Sequence, residues 1–318
     1  MKVLLLTNMY PTKSSPYYGV FIKEQVNQLQ SFDCIEDISI FNVGDKKGVI
    51  GKYVTSLPKL AHFIFRYKPN IIHVHFGFTF LLLLPFLPIL KFSSIKIITT
   101  FHGGDLINSL TKSSLKSKIV VYISKLAARF SDRNIAVSKE IFEKFIKSNN
   151  NYYLPCGVDD LFYNKVESSR KRLVIFPSDP ERVEKNFPLF KRVTNRLKKD
   201  NIEFSIESLK GLTREEVRDK LKISTCMLLT STHEGSPQCI KEAIVCDLPV
   251  IATDVGDVKF LLKGLPNCFV SNNETLLYLN LKSLMSCDES TFIFEEEVKK
   301  QFDGRLVAKK ILDIYKQV

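Results

Sequence analysis

Short apolar runs alternate with helical patterns along the whole chain, and this alternation restricts it to a parallel α/β architecture. A strand in a parallel sheet is buried on both faces and needs a long crossover, usually a helix, before its neighbour. In the first half the apolar runs fall at 2–6, 35–41, 71–75, 96–100, 133–137 and 151–154. In the second they fall at 172–176, 202–206, 225–229, 249–252 and 267–270. Each is followed by a turn or a helical segment, so the expected fold is two doubly wound, Rossmann-like domains. The length of 318 residues suits two such units of roughly 150 residues each. The polar, basic stretch 158–170 reads as their boundary, with a first domain at 1–165 and a second at 166–303.

Composition excludes several classes. Seven cysteines, an odd number with no Cys-x-x-Cys, argue against a disulfide framework or structural zinc and for a reducing cytoplasm. The start, MKVLLLTNMY, has too short an apolar core for a signal peptide and reads as the first strand. The longest apolar run, FGFTFLLLLPFLPIL at 76–90, is too short to span a bilayer and holds Pro85 and Pro88, so a buried helix is expected. No Gly-x-Gly-x-x-Gly follows any strand, which removes the dinucleotide fingerprint and the hydride transfer it supports.

The net charge of +12 is unevenly placed: residues 1–165 hold 21 Lys and Arg against 11 Asp and Glu, and the rest hold 25 against 23. Lys112, Lys116, Lys118, Lys125, Arg129 and Arg133 accompany Leu115, Ile119, Val120, Tyr122, Ile123, Leu126 and Ala127, the pattern of a basic amphipathic helix. Such a helix suits an anionic membrane surface, or it packs its apolar side on the core with lysines in water. Nucleic acid is not expected, since no binding motif accompanies the charge.

The densest chemistry lies in TSTHEGSPQCIKEAIVCDLPVIATDVGD, where Glu234 and Glu242 flank a Gly-Ser-Pro turn. Gly235 loosens the backbone, Ser236 suits an N-cap and Pro237 the first helical position, predicting a helix over 237–246. The N-terminus of that helix, with Gln238 in its first turn, favours phosphate. Acids beside an anion site suit sugar hydroxyls rather than the phosphate itself. Taken alone, the two glutamates are also compatible with solvated surface charge.

This segment resembles the nucleotide-sugar segment of the retaining glycosyltransferases of the GT-B fold, in the large family called family four, which carries two glutamates with seven residues between them. The resemblance implies two Rossmann-like domains facing a central cleft, with a C-terminal helix at about 304–318 packing back on the first. It implies that Glu234 contacts the transferred sugar and Glu242 the ribose. Other segments match in part. Gly19 follows the first strand where the family approaches the donor phosphates, with Tyr18 in place of a second glycine; a plain glycine turn is the alternative. His102 in TTFHGGDL matches a histidine beside the transferred sugar, and Asp105 is either part of that match or a helix cap. Arg182 and Lys185, in FPSDPERVEKNF, stand where the family holds the leaving diphosphate, more closely spaced than usual; solvated charge is the alternative. In LPCGVDDLF, Cys156 replaces the family's asparagine, Asp247 stands where a helix-ending glycine is common, and Phe260 where an acid is common. His73 and His75 alternate along a strand without a third metal ligand and read as sheet positions, with His75 near the cleft.

The expected activity is retaining, metal-independent transfer of a sugar from a nucleoside diphosphate to a saccharide or lipid-linked acceptor, at the cytoplasmic face, with no cofactor. No Asp-x-Asp is present, and Arg182, Lys185 and the helix start supply positive potential instead. Base contacts are expected near 208–212. Alternatives are a nucleotide-sugar epimerase of the same fold and a non-catalytic nucleotide-sugar or membrane-surface binding module.

Overall fold

The structure is a computed structural model that describes residues 1–13, 15–44, 50–103, 115–146, 150–164, 169–286 and 292–318. Asp105 and Lys112, singled out above, lie outside the described residues, as does the side chain of Lys116. The chain divides into two compact units, Met1–Gly157 with Gly304–Val318, and Val158–Asp303.

The first unit is built on a six-stranded parallel sheet in the order β2-β1-β3-β4-β5-β6. Its strands are β1 (Lys2–Thr7), β2 (Asp37–Asn42), β3 (Ile71–His75), β4 (Lys96–Phe101), β5 (Arg133–Ala136) and β6 (Asn151–Tyr153). Alternation along β1 shows how the two faces are built. Val3 and Leu5 join a core with helix α1 (Val20–Gln30) and the C-terminal helix Gly304–Lys316, whereas Leu4 and Leu6 join one with α2 (Ile50–Tyr67).

The second unit carries a five-stranded parallel sheet in the order β11-β10-β9-β7-β8. These strands are β7 (Lys171–Phe176), β8 (Ser205–Ser208), β9 (Ser224–Leu229), β10 (Val250–Ala252) and β11 (Phe269–Val270). Leu173, Ile175, Met227 and Leu229 face one core and Val174, Phe176, Cys226 and Leu228 the other. Strand β8 begins later than the run at 202–206 suggested, because Ile202 follows the end of helix Phe187–Lys199 and its N–H donates back to Leu197 O.

Two local expectations are corrected and a third, the basic helix, is present as expected. The run at 76–90 is not one helix: it forms 3-10 turns at Gly77–Leu82 and Leu84–Phe86 and a short helix at Leu87–Lys91, because Pro85 and Pro88 lack backbone donors. The start of the boundary stretch is no linker, since Val158 and Phe162 are fully buried in the second unit's core and Asp159 caps the turn Asp160–Tyr163. The basic helix, Leu115–Phe130, seats Ile123, Ser124 and Ala127 inward, while Leu115, Ile119 and Tyr122 are exposed. Its seat is a close approach: a Cβ on Gly77 would lie 2.5 Å from Ser124 Oγ, so small residues meet there.

No disulfide joins the described cysteines. Among the described residues no helix is long and apolar enough to cross a membrane. Asp247 sits at φ 58, as its place at a helix end requires, and its carboxylate is used: it accepts the Phe294 N–H at 2.7 Å and pairs with the buried Lys299.

Candidate functional site

In the second unit the sheet order decides which residues meet. The chain leaves β7 to reach β8 on one side and returns to β9 on the other, so the carboxyl ends of β7 and β9 flank a topological switch point, where open α/β sheets bind ligands. The segment after β7 ends in the 3-10 turn Val183–Lys185 and in Asn186, at φ 52, whose side chain caps helix Phe187–Lys199. The segment after β9 is laced to it. Thr230 Oγ1 donates to the carbonyls of Lys185 and Asn186 at 3.0 and 3.1 Å, and the Thr232 N–H donates to Glu184 O at 2.8 Å.

This lacing brings Lys185 Nζ to 2.5 Å from Glu234 Oε1, with both side chains only 11% exposed. Ser231 Oγ donates to the same oxygen at 2.6 Å. A shielded cation and carboxylate interact more strongly than they would in water, and each needs the other to offset its desolvation. Arg182 is not brought to this pair. It is 53% exposed and turns to Glu184 Oε1 at 2.6 Å.

Glu242 lies on the helix Gln238–Val245 and is 4% exposed. Its partner is Arg214, whose guanidinium donates to Oε1 at 2.7 Å and lies 4.5 Å from the Phe162 ring centroid. Arg214 opens helix Arg214–Ile223, which Thr213 and Glu216 start with a reciprocal capping box just beyond 208–212. The capping box is legible in the sequence, but the ion pair spans 28 positions and has no local signature.

The start of the Gln238–Val245 helix departs from the expected cap. Pro237 is the N-cap, extended at ψ 123, and Ser236 caps nothing; its Oγ is buried without a hydrogen-bond partner. Backbone contacts fix this loop instead. The Asp257 N–H donates to Gly235 O at 2.8 Å, and Gly256 packs at φ 52 where a Cβ would lie 2.6 Å from Glu234 O. Gly256 is thus required twice over, by conformation and by space.

In the first unit the corresponding switch point lies between β1 and β3. Gly19 begins α1 at φ 77, and a Cβ there would lie 2.6 Å from Met9 O, so the loop after β1 folds tightly under the helix start. Across the switch point, His75 ends β3 and is fully buried, and Phe76 follows at φ 69, a conformation that costs a non-glycine residue about 1–3 kcal/mol. His102, straight after β4, is 8% exposed. Its Nε2 lies 3.0 Å from His75 Nδ1 and its Nδ1 3.9 Å from Cys156 Sγ. The Phe76 and Phe21 rings pack on it at 4.5 and 5.2 Å. Cys156 therefore stands at hydrogen-bonding distance from the histidine. His73 takes the expected sheet position, held by Thr100 Oγ1 at 2.7 Å and Tyr315 Oη at 2.6 Å. Burial pushes its imidazole down to about 3 and holds His75 well below the ordinary range, with further lowering from His73 and His102. Among the described residues no group of three or more His, Cys, Asp or Glu is placed to hold a metal ion.

Two family profiles match the chain: Glycosyltransferase Family 4 over residues 23–160 and Glycosyl transferases group 1 over residues 164–301. An uncharacterised glycosyltransferase of Methanocaldococcus jannaschii is 28% identical over 182 residues, 51% of this chain and 50% of that one. The chain thus spans about half the length of the curated relative it matches. Among solved structures, Anabaena HepE in complex with UDP superposes with a TM-score of 0.72 at 14% identity, covering 100% of both chains. The sucrose-phosphate synthase of Thermosynechococcus elongatus superposes with a TM-score of 0.70 at 13% identity, covering 100% of this chain and 99% of that one. Two parallel α/β sheets match this fold, and with a family profile on each half the chain belongs to the GT-B superfamily of family 4-like glycosyltransferases.

Proposed function

We propose that this protein is a retaining glycosyltransferase that moves a sugar from a nucleoside diphosphate to an acceptor hydroxyl without a metal ion. The observation that carries this reading is the shielded Lys185–Glu234 pair at the β7/β9 switch point, with Glu242 on the helix that follows. Glu234, held by Lys185 and Ser231 through Oε1, accepts hydrogen bonds from the transferred sugar. Lys185 supplies positive charge where negative charge grows as the bond from the anomeric carbon to the diphosphate oxygen breaks. The start of helix Gln238–Val245, with Gly235, Ser236 and Gln238 around it, supplies phosphate-binding backbone. Glu242 accepts from the ribose, and Arg214 adds a second cation on the donor side. Arg182 is the outer cation and reaches the diphosphate only by leaving Glu184.

In this reading His102 lies beside the sugar. The acceptor oxygen bonds to the anomeric carbon on the face the diphosphate leaves, and the acceptor proton passes to the departing phosphate oxygen. HepE was solved with UDP, which makes uracil nucleotides the first donors to test. The exposed Leu115, Ile119, Tyr122 and Phe130, beside Lys118, Lys125 and Arg129, support work at an anionic membrane surface on a lipid-linked or polysaccharide acceptor at the cytoplasmic face.

The test is a panel of nucleotide-sugars offered with saccharide and lipid-linked acceptors, with and without EDTA, with the product's anomeric configuration read by NMR. Transfer that survives EDTA and keeps the donor configuration supports the reading. Inversion overturns the retaining mechanism, and conversion of the donor sugar with no acceptor present identifies an epimerase. Sedimentation with anionic but not neutral vesicles tests the membrane surface.

A further inference from the structure

The buried imidazoles of the first unit form a connected chain whose polarity can be read from one end. Gln25 Nε2 lies 3.4 Å from His75 Nε2, His75 Nδ1 lies 3.0 Å from His102 Nε2, and His102 Nδ1 lies 3.9 Å from Cys156 Sγ. The His75 and His102 rings are nearly parallel, at 21°, with centroids 5.2 Å apart. An amide NH2 only donates, and a neutral imidazole has one donor and one acceptor nitrogen. A donor at the Gln25 end therefore fixes every link after it. His75 accepts at Nε2, so it carries its proton on Nδ1 and donates to His102 Nε2. His102 must then carry its own proton on Nδ1, facing the Cys156 sulfur.

We propose that Gln25 and His75 are positioning residues that set the tautomer of His102, holding it as the neutral Nδ1–H form with Nε2 as acceptor. The fold supplies what this requires. His75 is fully buried between His73 and His102, and burial keeps it neutral, so it retains one donor and one acceptor. Gln25 is carried on α1, whose start is fixed by Gly19 against the Met9 backbone, and it reaches His75 across the switch point between β1 and β3. His73 takes no part in the chain, since its two ring nitrogens are held by Thr100 and Tyr315. The Cys156 thiol follows the polarity of the chain: it accepts from the imidazole when Gln25 donates, and donates to it when the chain is reversed.

The consequence for transfer rests on the reading of His102 as the residue beside the sugar, but the tautomer itself does not. His102 Nε2 is taken by His75, so a group that comes to His102 meets Nδ1, on the side of the Cys156 sulfur, and finds a donor there in this chain and an acceptor in the reversed one.

The experiment is a long-range 1H–15N correlation spectrum of the full chain labelled with 15N-histidine, with the His102 signals assigned by their loss in His102→Gln. The wild type is expected to show His102 Nδ1 as the protonated nitrogen and Nε2 as the bare one. Gln25→Glu places an acceptor at the end of the chain and is expected to exchange the two signals. Gln25→Leu removes the donor and is expected to leave a mixture. A wild-type His102 protonated on Nε2, or a spectrum unchanged in both Gln25→Glu and Gln25→Leu, overturns the proposal. Should Gln25→Glu fail to fold, Gln25→Leu and the wild-type spectrum decide it. Transfer assays on the same samples separate the two readings. A protein without transferase activity overturns the functional reading and leaves the tautomer result standing.

Discussion

Lys185 and Glu234, 49 positions apart in sequence, meet at 2.5 Å where the loops after β7 and β9 are tied together. The carboxylate also takes the Ser231 hydroxyl on the same oxygen, so its orientation is fixed by two partners. A preorganised group of this kind costs no reorganisation when charge develops beside it.

Lys185→Met is therefore expected to lower kcat by about a hundred- to a thousandfold, as does removal of a preorganised oxyanion donor. Stability should fall as well, because Glu234 is left shielded with only Ser231. In a double-mutant cycle with Glu234→Gln, urea unfolding is expected to give a coupling of about 1–3 kcal/mol. A coupling near zero would mean that the pair contributes nothing to the fold.

Glu242→Ala is expected to weaken donor binding about ten- to a hundredfold, the range for losing hydrogen bonds to a charged group. Titration calorimetry with the bare nucleoside diphosphate reads this directly. An unchanged affinity would sink the ribose assignment. Arg214→Ala, which leaves Glu242 buried and unpartnered by this cation, should lower the unfolding midpoint more than Arg182→Ala, whose side chain is 53% exposed.

Gly256→Ala forces a Cβ toward the Glu234 and Gly235 carbonyls at a backbone conformation unfavourable to alanine. A loss of about 1–3 kcal/mol is expected, measured as a lower melting temperature. Gly211→Ala provides the comparison: its φ is also positive, at 77, but nothing lies within 4 Å of the added carbon. It should cost less.

Acid should destabilise the first unit through its buried histidines. His73 is held at about 3 by burial, against an ordinary value of 6.5, so below that value the unfolded chain takes up a proton that the folded one refuses. Stability is then lost as pH falls from about 6.5 toward 3, by about 2 kcal/mol at pH 5 for this residue. Urea unfolding of wild type and His73→Gln at pH 7 and pH 5 checks this. The wild type should lose about 2 kcal/mol more than the variant, and equal losses would refute it.

The architecture was legible in the sequence because both sheets are parallel and buried, which makes each strand a recognisable apolar run such as Leu4–Leu5–Leu6 or Met227–Leu228–Leu229. The placement of Glu234 in the loop after a strand and of Glu242 on the helix that follows was legible too, because a turn and a helix start lie within one short segment. Local rules failed where tertiary contacts outweighed them. Ser236 and Pro237 have the residue types of a cap and a first helical position, yet the tie from Asp257 to Gly235 sets the loop differently and the helix starts one residue later.

What the sequence determined by itself was the order of strands and helices and the residue types offered at the strand ends, since periodicity and turn chemistry are local properties. Which of those residues meet was decided only by the tertiary structure. The placement of β7 beside β9 brings Lys185 to Glu234, Arg214 finds Glu242 across 28 positions, and the Gln25–His75–His102–Cys156 chain draws on four separate segments. Ion pairs and hydrogen bonds act over a few ångströms, and only the packing of the sheets brings residues from distant segments within that range.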